Sequence, residues 1–189
     1  MLAHVLERVL AISGLREVIL AIPRSDFMYE VPNDVLVEVG SPVDVLDRYV
    51  AAARRYAADA IVRITADCPL LCPAFASRVI ARYWEVQMDF CSNVGKRTDG
   101  LDVEVVSRGA LEAAWHEASD PSELEHVTAF LRNRRERFPE HRVQPPDWWP
   151  GPKLSVDEKI DLDFVRHIYS HLHNPSDFSL EATFDAIQA

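Results

Sequence analysis

The sequence predicts an α/β fold, a three-layer sandwich in which helices cover both faces of a mainly parallel sheet. Strand and helix patterns alternate along the chain, and the strand segments at 17–22 (EVILAI) and 60–66 (AIVRITA) are too apolar for a sheet with one face in water. The 189 residues are 48% hydrophobic and 26% charged, the composition of an ordinary globular protein that can bury its own core. We therefore expect a single domain over residues 1–189.

Hydrophobic periodicity gives the elements in order. Apolar residues three and four apart indicate helices, and short apolar or alternating runs indicate strands. The N-terminal half is predicted to contain a helix at 2–12, a strand at 17–22, a mostly irregular stretch at 23–43 with a possible strand at 35–39, a helix at 44–58, a strand at 60–66 and a helix at 73–86. The C-terminal half is predicted to contain strands at 89–92 and 101–106, helices at 107–118 and 121–138, a strand at 153–157, and helices at 158–172 and 180–187.

Glycine, proline and serine mark several of these boundaries. Gly14 ends the first helical pattern, and Pro69 ends regular pairing after the strand at 60–66. Pro73 suits the first turn of a helix, and Ser107 can cap the helix that follows it. A stiff loop at 145–152 holds four prolines around two tryptophans, which favours a hydrophobic lid or a partner surface over stacking on a base.

The charge of the chain excludes two classes of partner. Thirty acidic residues against twenty basic ones give a formal net charge of -10 at pH 7, which repels nucleic-acid backbones and anionic lipid. No apolar run approaches the roughly 20 residues that span a bilayer. The three cysteines form no Cys-x-x-Cys pair, as expected for reduced thiols. We expect a cytoplasmic protein that binds neither nucleic acid nor membranes.

Acidic side chains follow or lie on three of the predicted strands. Asp67 comes after the strand at 60–66, Asp102 and Glu104 alternate with apolar residues in LDVEVV, and Asp157 ends KLSVD. Ligands of open α/β sheets bind beyond the carboxyl ends of strands, and gathered carboxylates suit Mg²⁺. Each acid alone is more often a helix cap or a solvated residue, so their combined placement is what predicts a site.

Other polar residues allow two interpretations. Arg48 and Arg63 can contact phosphate, or they can pair with neighbouring acids. Glu125 and His126 lie early in a predicted helix, where an acid interacts favourably with the helix dipole. The Asp-x-Asp triplet at 161–163 is typical of metal-dependent sugar transferases, but its place inside a predicted helix favours a solvated face.

Five motifs in order resemble a known family over nearly the whole chain. They are Gly40-Ser41 with Asp44–Tyr49, Arg63–Leu70, Gly100–Val105, Glu125–Thr128 and Leu154–Asp157. This set resembles the cytidylyltransferase family that includes spore-coat polysaccharide biosynthesis proteins, which is similar to the enzymes that make CMP-activated acidic sugars. The resemblance implies a nucleotide-diphospho-sugar transferase-like fold and transfer of a cytidylyl group from CTP to an acidic or amino sugar, with release of pyrophosphate and Mg²⁺ as cofactor.

The resemblance also assigns roles to residues of this sequence. It implies Asp67 and Asp157 as Mg²⁺ ligands, with Asp67 also catalytic. Asp102 and Glu104 would be catalytic on the side of the acceptor sugar, where carboxylates bind hydroxyls or take the attacking proton. The implied substrate-binding residues are Arg48, Arg63, Glu125 and His126.

The sequence departs from the family at its start. Family members open with a strand and a loop of the type Ala-Arg-x-Gly-Ser-x-Arg-x-Pro-Gly-Lys, whereas this sequence opens with a stretch similar to the helix that follows that loop. We expect an N-terminally truncated sheet, explained by a natural start upstream, a narrowed sheet, or a second subunit. A homodimer through the N-terminal helix or the strand at 17–22 is predicted. The alternative function is a non-catalytic remnant of the fold that serves as a binding or assembly subunit.

Overall fold

A computed structural model describes residues 1–23 and 30–189 of the protein, and this part of the chain forms eight helices and six strands. The helices are α1 Leu2–Leu10, α2 Val45–Arg55, α3 Pro73–Val86, α4 Arg108–Glu117, α5 Pro121–Glu125, α6 Ala129–Arg132, α7 Lys159–His171 and α8 Leu180–Gln188. The strands are β1 Val18–Pro23, β2 Val35–Gly40, β3 Ala60–Arg63, β4 Phe90–Ser92, β5 Glu104–Ser107 and β6 Glu140–Arg142.

The strands form two sheets. β1 and β2 pair in parallel, with Val18 opposite Val35. The second sheet has the order β3-β5-β4-β6, in which β5 is antiparallel to both neighbours and β4 is parallel to β6. Because β3, β4 and β6 therefore share one direction, the expected α/β fold with a mostly parallel sheet is confirmed, and β5 is its antiparallel strand.

Helices cover both faces of the four-stranded sheet. Cys91 and Val105 belong to a buried cluster with α1, α3, α7 and α8, whereas their neighbours Phe90 and Val106 belong to a second cluster with α2, α4 and α6. Successive residues of a strand point to opposite faces, so the two clusters are the cores above and below the sheet. None of the eight described helices is long and apolar enough to cross a membrane.

Most predicted elements are present, and several boundaries match. α3 has the predicted bounds, and Ser107 caps α4 by accepting a 3.1 Å hydrogen bond from the backbone N–H of Ala110. The possible strand at 35–39 is confirmed as β2. The rest of the irregular stretch includes residues 24–29, which lie outside the described part of the chain.

Three predictions were wrong in detail, and one strand was not predicted. The helix expected at 121–138 is the two short helices α5 and α6, separated where Val127 adopts a φ of +39°. The segment 153–157 is not a regular strand, and β6 was not expected. β5 begins at Glu104, so Leu101 and Asp102 lie in the loop before it.

A gap lies between the two sheets. Among the described residues, β1 pairs only with β2 and β3 only with β5, and a cavity of about 280 Å³ opens between β1 and β3. We call this cavity the slot. Its walls are residues 18–21 of β1 and 60–62 of β3, together with Leu2, Val5, Leu6 and Val9 of α1, Tyr49, Ala52 and Ala53 of α2, and Tyr56 directly after α2.

Candidate functional site

Asp67 lies in the turn after β3, four residues beyond the strand. Its backbone carbonyl accepts a 2.9 Å hydrogen bond from the N–H of Val156, which ties the turn to the segment 154–157. Beside it, the buried Cys68 Sγ lies 3.6 Å from Asp67 Oδ1 and 3.3 Å from Thr65 Oγ1. Burial is the main cause that raises the pKa of Cys68 to about 12, and the nearby Asp67 and Asp102 carboxylates add to it. Asp67 therefore lies beside a buried, protonated thiol.

Asp102 is half-buried in the loop before β5. The Asn93 side chain holds this loop, since its amide donates to the Leu101 carbonyl at 2.8 Å and accepts from the Val103 N–H at 2.7 Å. Thr98 Oγ1 lies 3.3 Å from Asp102 Oδ1. Burial, followed by repulsion from the acidic neighbours Asp99 and Glu104, raises the pKa of Asp102 to about 6. Strongly shifted carboxyl groups with few partners are common at functional sites.

The segment 154–157 joins the loops that carry the two acids. The N–H of Leu154 donates to the Asp99 carbonyl at 3.0 Å, next to the loop of Asp102. Gly100 has a φ of +81°, and a Cβ atom there would lie 2.3 Å from the Leu154 carbonyl carbon, so only glycine permits this approach. Because the segment divides its hydrogen bonds between two loops, it does not form the regular strand that its sequence predicts.

Asp157 ends this segment on the surface. Its carboxylate lies 2.8 Å from Lys153 Nζ, which also contacts Asp161 at 2.5 Å. Asp161 in turn accepts hydrogen bonds from the backbone N–H groups of Asp157 and Glu158, at the start of α7. Asp161, the first acid of the Asp-x-Asp triplet, therefore caps α7. Asp163, the second acid, pairs with Lys159 on the surface at 3.1 Å.

The donor set fits a hard divalent cation. Across residues 1–23 and 30–189, neither Asp67 nor Asp102 forms a salt bridge with lysine or arginine, and no three His, Cys, Asp or Glu side chains form a metal-binding cluster. Mg²⁺ commonly uses one or two protein carboxylates and completes its shell with water and phosphate oxygens. Asp67 and Asp102, which form no salt bridge among the described residues, are available for this role, whereas the carboxylate of Asp157 is paired with Lys153.

Glu104 is fully buried and has three partners. Its carboxylate accepts from Arg63 at 2.7 Å, from Arg132 at 3.1 Å and from Thr128 Oγ1 at 2.7 Å. The structure thus brings two predicted site residues, Arg63 and Glu104, into one ion pair. Of the two interpretations of Arg63 left open by the sequence, pairing with an acid is the one observed.

Glu125 and His126 lie exposed at the end of α5, not in the first turn of a long helix. The residue of this motif that reaches the interior is Thr128, through its bond to Glu104. Sequence reasoning did not single out Thr128 or Arg132. The signal for Thr128 was its place in the fourth motif, while nothing local marks Arg132.

Arg48 is 8% exposed on α2, and its Nε has no hydrogen-bond partner in the described chain. It packs against Gly40, where a Cβ atom would lie 2.7 Å from Arg48 Cγ. Burial raises the pKa of the Tyr49 hydroxyl, which also lies within electrostatic range of Arg63, Glu104 and Arg48. Of these residues, Tyr49 also lines the slot.

Two loops near the site are held by a reciprocal contact. Arg97 Nε donates to the Trp149 carbonyl at 3.0 Å, and Trp149 Nε1 donates to the Arg97 carbonyl at 3.0 Å. Trp149 is 1% exposed, whereas Trp148 is 46% exposed and packs edge-on against Trp149 and Phe184. Of the two tryptophans in the loop at 145–152, Trp149 thus belongs to the core and Trp148 to the surface.

Comparison with known proteins gives consistent matches. A family model described as cytidylyltransferase matches residues 1–171. An uncharacterized protein of Methanocaldococcus jannaschii is 31% identical over 173 residues, covering 88% of this chain and 71% of that protein. The spore coat polysaccharide biosynthesis protein SpsF of Bacillus subtilis is 25% identical over 143 residues, covering 74% of this chain and 59% of that protein.

Two solved structures share the fold. A cytidylyltransferase from Leptospira borgpetersenii superposes with a TM-score of 0.86 at 23% identity, covering 99% of this chain and 82% of that chain. A CMP:2-keto-3-deoxy-manno-octonic acid synthetase complexed with CTP superposes with a TM-score of 0.63 at 16% identity, covering 89% of this chain and 87% of that chain. These likenesses confirm the nucleotide-diphospho-sugar transferase-like α/β fold.

Proposed function

The chain belongs to the cytidylyltransferase family, and on this premise we propose that it transfers a cytidylyl group from CTP to a sugar hydroxyl with release of pyrophosphate. The observation that supports the proposal most directly is that the segment 154–157 hydrogen-bonds both to Asp67 and to Asp99 in the loop that leads to Asp102. Phosphoryl transfer is accelerated mainly by alignment and by charge stabilisation, and carboxylates in fixed loops contribute by holding a divalent cation.

Asp67 and Asp157 are the proposed metal ligands. Mg²⁺, when bound, neutralises the charge that develops on the α-phosphate. Asp67 forms no salt bridge with the residues that the structure describes, while Asp157 shares Lys153 with Asp161 and can release it, because Lys153 keeps Asp161 as its partner. The hydrogen bond from the Asp157 N–H to the Asp161 carboxylate fixes the end of the segment 154–157 that carries Asp157.

Asp102 is the proposed acceptor of the proton from the attacking sugar hydroxyl. A general base works best when its pKa lies near the operating pH, and burial places the pKa of Asp102 at about 6. Glu104 acts by positioning, because its contacts to Arg63, Arg132 and Thr128 fix the start of β5, two residues from Asp102.

Arg48 is the proposed phosphate contact. A buried guanidinium group with an unpaired Nε has bonding capacity left for an anion. Arg63 contributes through its ion pair with Glu104, which keeps one guanidinium nitrogen engaged. Glu125 and His126 stay predicted substrate contacts at the exposed end of α5, and an acidic or amino sugar stays the predicted acceptor.

Calorimetry and a product assay test this function. We expect CTP binding that depends on Mg²⁺, and pyrophosphate release that depends on both CTP and a sugar from a panel of acidic and amino sugars. The assay is read by coupling pyrophosphate to phosphate detection. Pyrophosphate release with every sugar absent, or no CTP binding with Mg²⁺ present, contradicts the proposal.

A second candidate function is a binding or assembly subunit without catalysis. The observation that favours it is the slot, which leaves the edges of β1 and β3 unpaired among the described residues. This candidate predicts a defined oligomer, such as the homodimer expected from the sequence, together with no Mg²⁺-dependent binding of CTP. Light scattering beside the calorimetry distinguishes the two functions.

A further inference from the structure

The turn that carries Asp67 receives hydrogen bonds from side chains of two distant helices. Residues 67–71 follow β3 and belong to neither a helix nor a strand, so their carbonyl groups need partners from elsewhere. Tyr169 of α7 donates from its hydroxyl to the Pro69 carbonyl at 2.7 Å. Arg8 of α1 donates from Nη1 to the Leu71 carbonyl at 3.0 Å. These donors lie 100 and 63 residues away from their acceptors along the chain.

The other contacts of the turn come from the backbone. The Val156 N–H donates to the Asp67 carbonyl at 2.9 Å, and the Leu71 N–H donates to the Cys68 carbonyl at 3.2 Å. Cys68 is 1% exposed, and Leu70 and Leu71 are fully buried. In such surroundings water cannot replace a lost donor, so removing either side-chain contact leaves a buried carbonyl without a partner.

Arg8 is fully buried, although it forms no salt bridge with the described residues. Its Nη2 has no hydrogen-bond partner among them either. The guanidinium carbon lies 4.6 Å from the centre of the Phe178 ring and 5.7 Å from that of Tyr169, which eases the burial of the charge. Burying a charge is costly, and an apolar side chain can pack against the same rings. What an apolar side chain cannot supply is the set of hydrogen bonds that Arg8 donates.

Arg8 and Tyr169 form one continuous network with the turn. The Tyr169 hydroxyl accepts from Arg8 Nε at 3.3 Å and donates to the Pro69 carbonyl, so Arg8 also fixes the direction of that hydroxyl proton. Burial raises the pKa of Tyr169, so the hydroxyl remains a donor at neutral pH. The two contacts reach carbonyls two residues apart from two different helices, and together they fix both the position and the orientation of the turn.

We propose that Arg8 and Tyr169 are positioning residues, which hold the turn 67–71 and thereby keep the Asp67 carboxylate in place for the transfer reaction. The catalytic part of this inference rests on the proposed function, whereas the holding of the turn does not. Neither side chain has to touch a substrate, because displacing an aligned group by about 1 Å can lower a reaction rate about 100-fold. Loss of either residue should therefore affect turnover more than substrate affinity.

Thiol labelling of Cys68 measures the holding of the turn without any substrate. Cys68 lies inside the turn and is buried, so it reacts only when the turn opens. Cys91 of β4 is also buried and serves as the internal reference in the same molecule. The full 189-residue chain is treated with iodoacetamide, and the modified fraction of each cysteine over time is read by peptide mass spectrometry.

Two variants each remove one side-chain donor. Tyr169→Phe deletes only the hydroxyl, and Arg8→Met deletes the guanidinium group but keeps an apolar chain beside the rings. We expect each variant to raise the labelling rate of Cys68 at least about tenfold, because an unpaired buried carbonyl favours opening of the turn. The labelling rate of Cys91 should stay within about twofold of wild type. Circular dichroism melts establish that a variant is folded, and either folded variant decides the test.

Tyr83→Phe is the matched control. It removes the same hydroxyl from a buried tyrosine of α3 that donates no hydrogen bond to the turn among the described residues. Its labelling rates and its kcat should equal those of the wild type.

Pyrophosphate release gives the second readout. Tyr169→Phe and Arg8→Met should lower kcat at least about tenfold, with KM for the sugar within about threefold and Tm within about 5 °C of wild type. A purely structural role would instead lower Tm and accelerate the labelling of Cys68 and Cys91 together. A wild type that releases no pyrophosphate would contradict the proposed activity, and the labelling rates would still decide whether the two residues hold the turn.

Three results would overturn the inference. Equal acceleration of Cys68 and Cys91 labelling would show general destabilisation. Unchanged Cys68 labelling in a folded variant would show that the turn holds without the deleted donor. Faster Cys68 labelling with an unchanged kcat would show that the transfer reaction does not depend on how the turn is held.

Discussion

Arg63 lies directly opposite Glu104 in the antiparallel pairing of β3 with β5, and its Nη1 donates a 2.7 Å hydrogen bond to the buried carboxylate. Arg132 and Thr128 complete the shell of Glu104 from the region of α6. The Glu104 side chain thus joins β5, which follows Asp102, to β3, which precedes Asp67, and to the region of α6. The strands that flank the two acid-bearing loops are therefore joined through the same buried carboxylate.

Glu104→Gln should destabilise the fold. The substitution keeps the shape but removes the charge that faces Arg63 and Arg132, and breaking a buried ion pair commonly costs about 3 to 5 kcal/mol. Urea denaturation measures the loss. The matched control is Glu117→Gln, whose carboxylate pairs with Arg137 on the surface and should matter far less. Equal effects of the two substitutions would contradict the structural role assigned to Glu104.

Asp67→Asn should abolish turnover while leaving Tm nearly unchanged. The side chain lies in a turn with Cys68 Sγ as a distant contact, whereas the fold uses its backbone carbonyl, which the substitution retains. Loss of a charge-stabilising group commonly lowers kcat by about 10² to 10³. Asp163→Asn on the surface of α7 is the control and should keep full activity. A large drop in Tm for Asp67→Asn would instead mark the side chain as structural.

Asp102→Asn should stabilise the protein near neutral pH and reduce its activity. Burial raises the pKa of Asp102 in the folded state to about 6, above its ordinary value of 3.8, so the folded protein binds this proton more tightly. The stability that comes from this tighter proton binding is fully present below the pKa of Asp102 in the unfolded chain. It is lost as the pH rises through 6. Two pKa units correspond to about 3 kcal/mol, which the asparagine variant should recover near pH 7.5.

Denaturation of wild type and variant near pH 5 and near pH 7.5 tests this prediction, because the gain should be larger at the higher pH. The gain in stability should come with a loss of pyrophosphate release. A variant that is both more stable and fully active would show that Asp102 has no part in the proton transfer.

The three cysteines should resist thiol reagents in the native protein. Cys68, Cys72 and Cys91 are all buried, and burial raises the pKa of Cys91 to about 11 and that of Cys68 to about 12. Since the thiolate is the reactive form, almost none is present near pH 8. A chromogenic disulfide reagent should report no fast reaction before unfolding and three thiols after it. Rapid labelling of the folded chain would contradict the burial of these side chains.

Local signals in the sequence were sufficient for part of the fold. The proline at the start of α3 and the serine before α4 act through the backbone next to them, so both helix starts could be read directly. The end of β3 and the start of β5 depend instead on partners that are distant in sequence. For the same reason the periodic segment 121–138 did not predict the break at Val127.

For the candidate site too, local signals could be read from the sequence, whereas contacts between distant residues could not. Asp67 was predicted as a site residue because an acid after an apolar strand is visible in the sequence, whereas Asp102 lies before β5 and Asp157 follows a segment that is not a regular strand. The burial of Glu104 and its pairing with Arg132 could not be predicted, since the contact joins residues 28 positions apart. The ion pair between Lys153 and Asp157 has the i, i+4 spacing that is usual in a helix, but the segment that carries it is not helical.

The reciprocal contact between Arg97 and Trp149 has a consequence for proteolysis. Arg97 lies in a loop, where trypsin would normally cut, yet its guanidinium group is bound to main-chain carbonyls of the loop at 145–151. Gly151 allows that loop to close on Arg97, because a Cβ atom there would lie 2.4 Å from Arg97 Cα. A protease can reach this bond only after both loops have opened together, so cleavage at Arg97 reports a concerted local unfolding and not the mobility of a single loop.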